Sequence, residues 1–276
     1  MGAIDVAQMH ARVGVKRSLK SFCAVLSRAI PERGIDRPGI VVLMYHRMNS
    51  YRKNELSVNP EEFRKQVAWL ADNGFANMRM SDLESGAQAA PAQTRRVLFT
   101  FDDGYEDNYA TALPILKEHA YSAIFYIPVN YISSDAMAPR DRRESNRLED
   151  NRRMTWEQVK RLAAEGMEIG SHGLNHLRLS RIPTEEAGRE IADSKTTLET
   201  ILSLPVTSFC YPGGSYDAEH VSMVKKSGYR SACTAAPGAV GANLVEIPRV
   251  AVQASDTFFV FRLKMQGRLR WLRAIR

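Results

Sequence analysis

Val97-Leu98-Phe99-Thr100-Phe101-Asp102-Asp103-Gly104 is an apolar run that stops on two adjacent carboxylates and a glycine. Its first five residues suit a buried strand, and an abrupt acidic ending is rarely needed for packing. Adjacent carboxylates repel one another unless a cation or a proton separates their roles, so one can bind a metal while the other works as a base. The competing reading is a helix cap, in which both acids face the positive end of a helix starting near Tyr105.

Working outward, six further β-branched or aromatic runs resemble this strand: Ile40 to Tyr45, Ala123 to Ile127, Met167 to Gly170, Thr207 to Cys210, Arg230 to Cys233 and Ile247 to Val252. Longer segments of helical periodicity separate them. Residues 60–73 start on a proline, place Phe63, Val67 and Leu70 on one face, and end before Gly74. Residues 155–165 and 184–202 each open on a threonine suited to an N-cap. Repeated strand-helix units predict an α/β fold with a parallel sheet, and 276 residues with 44% hydrophobic content suffice for one barrel-sized core. Residues 133–153 carry eleven charges and almost no large apolar side chains, which predicts a mobile insertion without chemistry.

Three more motifs follow strands. Ser171-His172-Gly173-Leu174-Asn175-His176 spaces two imidazoles by four residues, so that both face one point if the segment is a helical turn; two surface histidines are the plainer alternative. Tyr211-Pro212-Gly213-Gly214 is either a tight turn or a loop that lets backbone approach a ligand and offers an amide to an oxyanion. His46 ends the first strand in Met44-Tyr45-His46-Arg47, where a lone histidine is usually structural. All four features fall at carboxyl ends of expected parallel strands, the edge where α/β barrels and open sheets build active sites.

Taken together, the TFDDG, SHxxxH and YPxG segments resemble, in type and order, the polysaccharide deacetylases, the NodB-homology domains of carbohydrate esterase family four. The similarity covers roughly residues 38–255. It implies a distorted TIM-like (β/α)7 barrel and a hydrolase that removes N-acetyl groups from N-acetylhexosamine units of a glycan, as in exopolysaccharide biosynthesis. The resemblance implies Asp102 as catalytic base, and Asp103, His172 and His176 as ligands of a divalent metal, usually Zn2+, with Co2+, Ni2+ or Fe2+ as alternatives. It also implies an oxyanion contact from the Tyr211 amide, with Pro212 and Gly213 beside the substrate. The late LxH histidine of many members is missing, the last histidine being His220. A permuted subgroup instead has an early YHxx segment that supplies the general acid, a role His46 fits. Gly173 stands where the family commonly has Ser or Thr. The usual arginine before the glycine loop is replaced by Ser208 and Phe209; Arg249 can orient Asp102 in its stead or serve structure alone.

The net charge of +7 lies at the two ends: residues 1–40 carry seven Lys or Arg against three acids, residues 257–276 six against none, and the body is mildly acidic. The expected organisation is a basic amphipathic segment over 1–37, a catalytic domain over 38–256 and a basic amphipathic tail over 257–276. Each end reads either as a helix packed on the domain with a solvated basic side or as a peripheral membrane contact. No base-reading module accompanies the charge, which argues against nucleic acid as a partner. The N-terminal apolar positions are interrupted by Arg12, Lys16, Arg17, Lys20 and Arg28, unlike an export signal, which points to the cytoplasm or the inner face of a membrane. Cys23, Cys210 and Cys233 form neither a disulfide framework nor a structural zinc motif. Three other functions share parts of this pattern. They are a deacylase or deformylase of a lipid-linked sugar, a non-catalytic carbohydrate-binding barrel, and an iron oxygenase holding its metal through Asp103 and the two histidines.

Overall fold

A computed structural model of the protein describes residues 39–50, 54–86, 94–132 and 152–267. The expected N-terminal amphipathic segment, nearly all of the charged insertion and the tail beyond residue 267 lie outside the described residues. Ten strands and seven α-helices are described. In chain order they are β1 (Ile40–Tyr45), β2 (Arg47–Met48), β3 (Ser57–Val58), α1 (Pro60–Asp72), β4 (Ala76–Asn77), α2 (Met80–Ser85), β5 (Arg96–Phe101), α3 (Leu113–Glu118) and β6 (Ala123–Ile127). There follow α4 (Trp156–Ala164), β7 (Glu168–Ser171), α5 (Thr184–Leu202), β8 (Ser208–Cys210), α6 (Ala218–Lys226), β9 (Ser231–Cys233), β10 (Val250–Ala251) and α7 (Phe258–Met265).

The seven expected strands form one parallel sheet in the order β10-β1-β5-β6-β7-β8-β9, with β4 added beside the start of β5. The sheet curls into a distorted barrel. Its last seam is loose: Ile247 bridges Cys233 of β9, and Val250 pairs with Leu43 of β1, so residues 247–251 connect both edges. Pro248, which has no N–H to give, and the inward-turned Arg249 interrupt what reads in sequence as one strand over 247–252.

Alternation of side chains across each strand divides the buried residues in two. Val42, Leu98, Ile124, Tyr126, Cys210 and Cys233 fill the barrel interior. Leu43, Tyr45, Val97, Phe99, Phe101 and Phe125 face outward and pack under helices through partners such as Phe63, Leu70 and Leu116. The interior is tight: a Cβ on Gly170 would sit 2.5 Å from the Tyr126 ring.

Local signals explain most helix ends. Asn59 caps α1 by accepting from the Glu61 amide, and Thr155 forms a capping box with Gln158 at α4. Thr184, expected as a cap, is instead the first residue of α5, with Pro183 in the cap position and no side-chain cap bond. Helix α7 buries Val260, Phe261, Leu263 and Met265 and sets Phe258 and Phe261 edge-on to Trp69 of α1. Of the two readings open for the C-terminal segment, packing on the domain is what residues 258–265 do. No described helix is long and apolar enough to cross a membrane.

Candidate active site

Strand alternation itself delivers the site residues. Leu98 points into the barrel, so two and four residues later Thr100 and Asp102 share that face; Val42 sets the same register for His46, the residue just past β1. Tyr45 pairs with Phe101 and Ser171 with Phe209, which brings His46 level with Asp102 and His172 level with Cys210 at the carboxyl edge.

Asp102 is buried and held by both oxygens. Arg249, itself buried, donates from both terminal nitrogens to the two carboxylate oxygens at 2.7 Å, from Nη1 to the Thr100 hydroxyl at 2.9 Å, and from Nε to the Thr234 carbonyl at 2.8 Å. The arginine therefore takes the place of an orienting partner. Burial alone would raise the Asp102 pKa, but Arg249 more than offsets it and holds the carboxyl below the ordinary range. Nε2 of His46 lies 3.9 Å from Asp102 Oδ2, with the imidazole 15% exposed. Burial lowers the His46 pKa against the opposing pull of Asp103 and Asp102, so the resting imidazole is neutral near pH 7.

Asp103 faces the two other histidines. Its Oδ1 is 3.4 Å from Nε2 of His172 and 3.1 Å from Nε2 of His176, yet this buried oxygen accepts no hydrogen bond. One carboxylate and two imidazoles, their ligand atoms all within 4.8 Å of one another, suit a divalent cation that keeps positions open for water and substrate. The Nδ1 of His172 lies 2.7 Å from the Cys210 carbonyl, which fixes the N–H there and leaves the Nε2 lone pair facing Asp103. Burial opposes the ionised Asp103, and only protonated imidazoles would outweigh it and hold its pKa well below the usual range, as Asp103 reciprocally raises that of His176 against burial; with lone pairs turned inward, a cation would take that place. A second grouping, Asp102 with His172 and Cys210, is a poorer cation site, because Arg249 already donates to the carboxylate and to the Cys210 sulfur at 3.1 Å, and burial pushes the thiol well up.

The expected helical turn between the histidines is not formed. Gly173 has φ +78° and His176 φ +55°, so the segment is an irregular loop that reaches the same convergence by another route. Asp103 also has φ +74°, followed by Gly104 at +65°. Left-handed backbone at two non-glycine residues is strain of the kind that gathers at functional sites. The loop is fastened from both sides. The amides of Val129 and Asn130 donate to the carbonyls of Gly173 and Leu174, and the buried Glu190 of α5 accepts from the amide and side chain of Asn175. A Cβ at Gly173 would stand 2.9 Å from Glu190 Oε2, so the glycine and the glutamate together replace the Ser or Thr expected there.

Two expectations need correction. The Tyr211 amide, expected as the oxyanion donor, instead continues the ladder by donating to the Cys233 carbonyl at 3.1 Å, while the buried Tyr211 ring stacks on Tyr216. The loop still bends over the site through Pro212 and Gly213, the latter at φ +59° beneath the Arg178 side chain. The second concerns only the end of 133–153, a stretch read as a charged insertion without chemistry, of which residues 152 and 153 alone are described. Arg153 is buried beside Asp103 and donates to its carbonyl at 2.6 Å. Sequence reasoning also missed Glu190, which reads as one more acid on a helix; its fall on the same face as Ala187, Ile191 and Ser194 was the available signal.

With this geometry in hand, comparison with known proteins decides the family. The family model described as polysaccharide deacetylase matches residues 89–232. The chain belongs to the polysaccharide deacetylase family. The matched span holds Asp102, Asp103, His172, His176 and Tyr211 but not His46 or Arg249, which the fold adds from either side. YxkH of Bacillus subtilis (strain 168) is 32% identical over 200 residues, 72% of this chain and 65% of that protein. The poly-beta-1,6-N-acetyl-D-glucosamine N-deacetylase of Escherichia coli (strain K12) is 26% identical over 247 residues, 78% of this chain and 36% of that protein. The chain therefore spans about two thirds of the one relative and about one third of the other. Among solved structures, the Streptococcus pyogenes deacetylase PplD in complex with acetate superposes with a TM-score of 0.71 at 24% identity, over 82% of this chain and 97% of that one. Polysaccharide deacetylases of known structure thus share its curled parallel sheet.

Proposed function

We propose that the protein is a divalent-metal-dependent hydrolase that removes acetyl groups from N-acetylhexosamine units of a glycan, and that it belongs with the subgroup carrying an early Tyr-His segment. The observation that carries this is the juxtaposition of two differently tuned carboxylates. Asp102 is oriented by Arg249 with His46 beside it, while Asp103 faces His172 and His176. An oxygenase or a simple binding barrel has use for the second group but none for the first. The relatives named as poly-beta-1,6-N-acetyl-D-glucosamine N-deacetylases support an N-acetylated glucosamine polymer as substrate class.

In this reading Asp103, His172 and His176 hold the cation, with zinc favoured by the mixed nitrogen and oxygen donors. When bound, the metal supplies Lewis acidity for the amide carbonyl and lowers the pKa of water. Asp102 removes a proton from the attacking water. Its Oδ2 is 3.9 Å from His46 Nε2, beyond a direct hydrogen bond, so that proton would reach the neutral imidazole through one bridging water or on closer approach of the ring, and then the nitrogen as the C–N bond breaks. One proton leaves water and one reaches the amine, so the step balances without a resting imidazolium. Arg249 keeps both Asp102 oxygens in place, and Pro212 and Gly213 form the wall against which the sugar lies.

The test is acetate release from a panel of N-acetylated oligosaccharides by metal-loaded protein. Asp102→Asn and His46→Ala are each expected to lower the rate by about 10²- to 10⁴-fold, the usual worth of a general acid or base. Unchanged rates in either variant overturn its assigned role, and no release from any member of the panel by the parent protein overturns the function.

A further inference from the structure

We infer that Arg153 is a positioning residue for the metal site, locking Asp103 and, through Tyr131, supporting His176; the inference rests on the metal-site reading above. Asp103 must hold a left-handed backbone, φ +74°, while presenting its carboxylate to both imidazoles; aspartate tolerates that conformation better than most residues, but it still carries strain that outside contacts must offset. Residues 152–154 lie across this turn as a strap. The Glu106 amide donates to the Arg152 carbonyl at 3.0 Å, the Met154 amide to the Gly104 carbonyl at 2.9 Å, and Tyr105 and Arg153 form an antiparallel bridge. From the strap, Nη1 of Arg153 reaches the Asp103 carbonyl at 2.6 Å.

The guanidinium is fixed by aromatic faces. It lies 3.8 Å from the centre of the Tyr105 ring and 4.9 Å from that of Tyr131, and the Tyr131 ring in turn sits 6.0 Å from the His176 imidazole. Tyr131 ends the turn whose amides at Val129 and Asn130 hold the histidine loop. One side chain therefore touches the backbone of one ligand and the ring beside another. Arg153 is 3% exposed, so its guanidinium is held within this site and not in solvent. A lysine cannot reproduce the planar contact with two rings while reaching the carbonyl.

The experiment is titration of metal-free protein with Co2+, followed by the visible absorption of the bound ion, alongside thermal unfolding in chelator. Arg153→Met keeps the apolar stem. It is expected to weaken Co2+ binding about 10- to 100-fold, the usual effect of removing an outer partner of a ligand. It should also change the shape of the cobalt bands, and Arg153→Lys is expected to fall between it and the parent. Parent-like affinity and bands in a folded Arg153→Met protein overturn the inference, even if its metal-free melting temperature drops. Should Arg153→Met fail to fold, Arg153→Lys binding Co2+ as the parent does overturns it equally. Asp103→Ala is the control. If the parent binds no Co2+, or Asp103→Ala binds it as well as the parent, the metal-site reading itself fails and takes this inference with it.

Discussion

Replacing Arg249 by methionine is expected to be among the most damaging single changes in the barrel. The side chain is fully buried and makes two 2.7 Å bonds to Asp102, one at 2.9 Å to Thr100, one at 2.8 Å to the Thr234 carbonyl and a contact with the Cys210 sulfur. Methionine fills much of the volume but leaves Asp102 as an uncompensated charge inside the barrel. Removing one partner of such a pair costs about 3–5 kcal/mol. For a domain of this size that corresponds to roughly 6–20 °C in melting temperature. Removing both charges, as Asp102→Asn with Arg249→Met, should restore much of the loss, because the larger part of the penalty is the stranded carboxylate. The dependence on pH has a definite sign. In the parent, Asp102 titrates below its unfolded value, so its contribution is present above about pH 4 and disappears as pH falls through the folded pKa. In Arg249→Met burial, the largest influence, is opposed only by the lesser pulls of His172 and His46, so the folded pKa rises, and the deficit is largest at neutral pH and shrinks as acid protonates Asp102. Urea unfolding of the four proteins at pH 7 and pH 5 measures all of this. A single-variant loss under about 1 kcal/mol, or a double variant as unstable as the sum of its parts, refutes a mutually compensating pair.

Chelator treatment should lower the melting temperature of metal-loaded parent protein; free metal at a hundred times its Kd contributes about 2.7 kcal/mol, and no shift would argue against a site preformed in the native state. Gly173→Ser, which restores the residue type common in the family, is expected to destabilise this chain by at least about 1–2 kcal/mol, since it places a side chain at φ +78° and 2.9 Å from Glu190 Oε2. A urea midpoint equal to that of the parent would show that the loop relaxes freely.

What was legible in the sequence was whatever repeats at short range. All seven expected strands are present because a buried parallel strand needs a run of β-branched or aromatic residues, and alternation then carries its register past the strand end to His46, Asp102 and His172. The irregular parts were opaque for the converse reason. Spacing of four suggested a helical turn between His172 and His176, yet the two imidazoles converge through left-handed backbone held by Glu190 and by residues 129–130, partners remote in sequence. Arg153 presents the same problem at greater range, and Arg249 became a candidate only through the family resemblance, not through its own setting. Each is a single arginine in an unremarkable setting, one after a proline and one at the end of a charged run, and each is buried because a carboxylate or a strained carbonyl about 147 or 50 residues away requires it. Composition averages over such residues: the charge that marks 133–153 as solvated is, at its last position, packed between two tyrosines. The two arginines also divide the acidic pair along the chain. Arg249 binds the side chain of Asp102 and leaves its backbone in the ladder; Arg153 binds the backbone of Asp103 and leaves its side chain to the histidines. Two neighbouring aspartates with the same intrinsic chemistry are thereby given different electrostatic surroundings, the condition that lets one serve as a base while the other serves as a ligand.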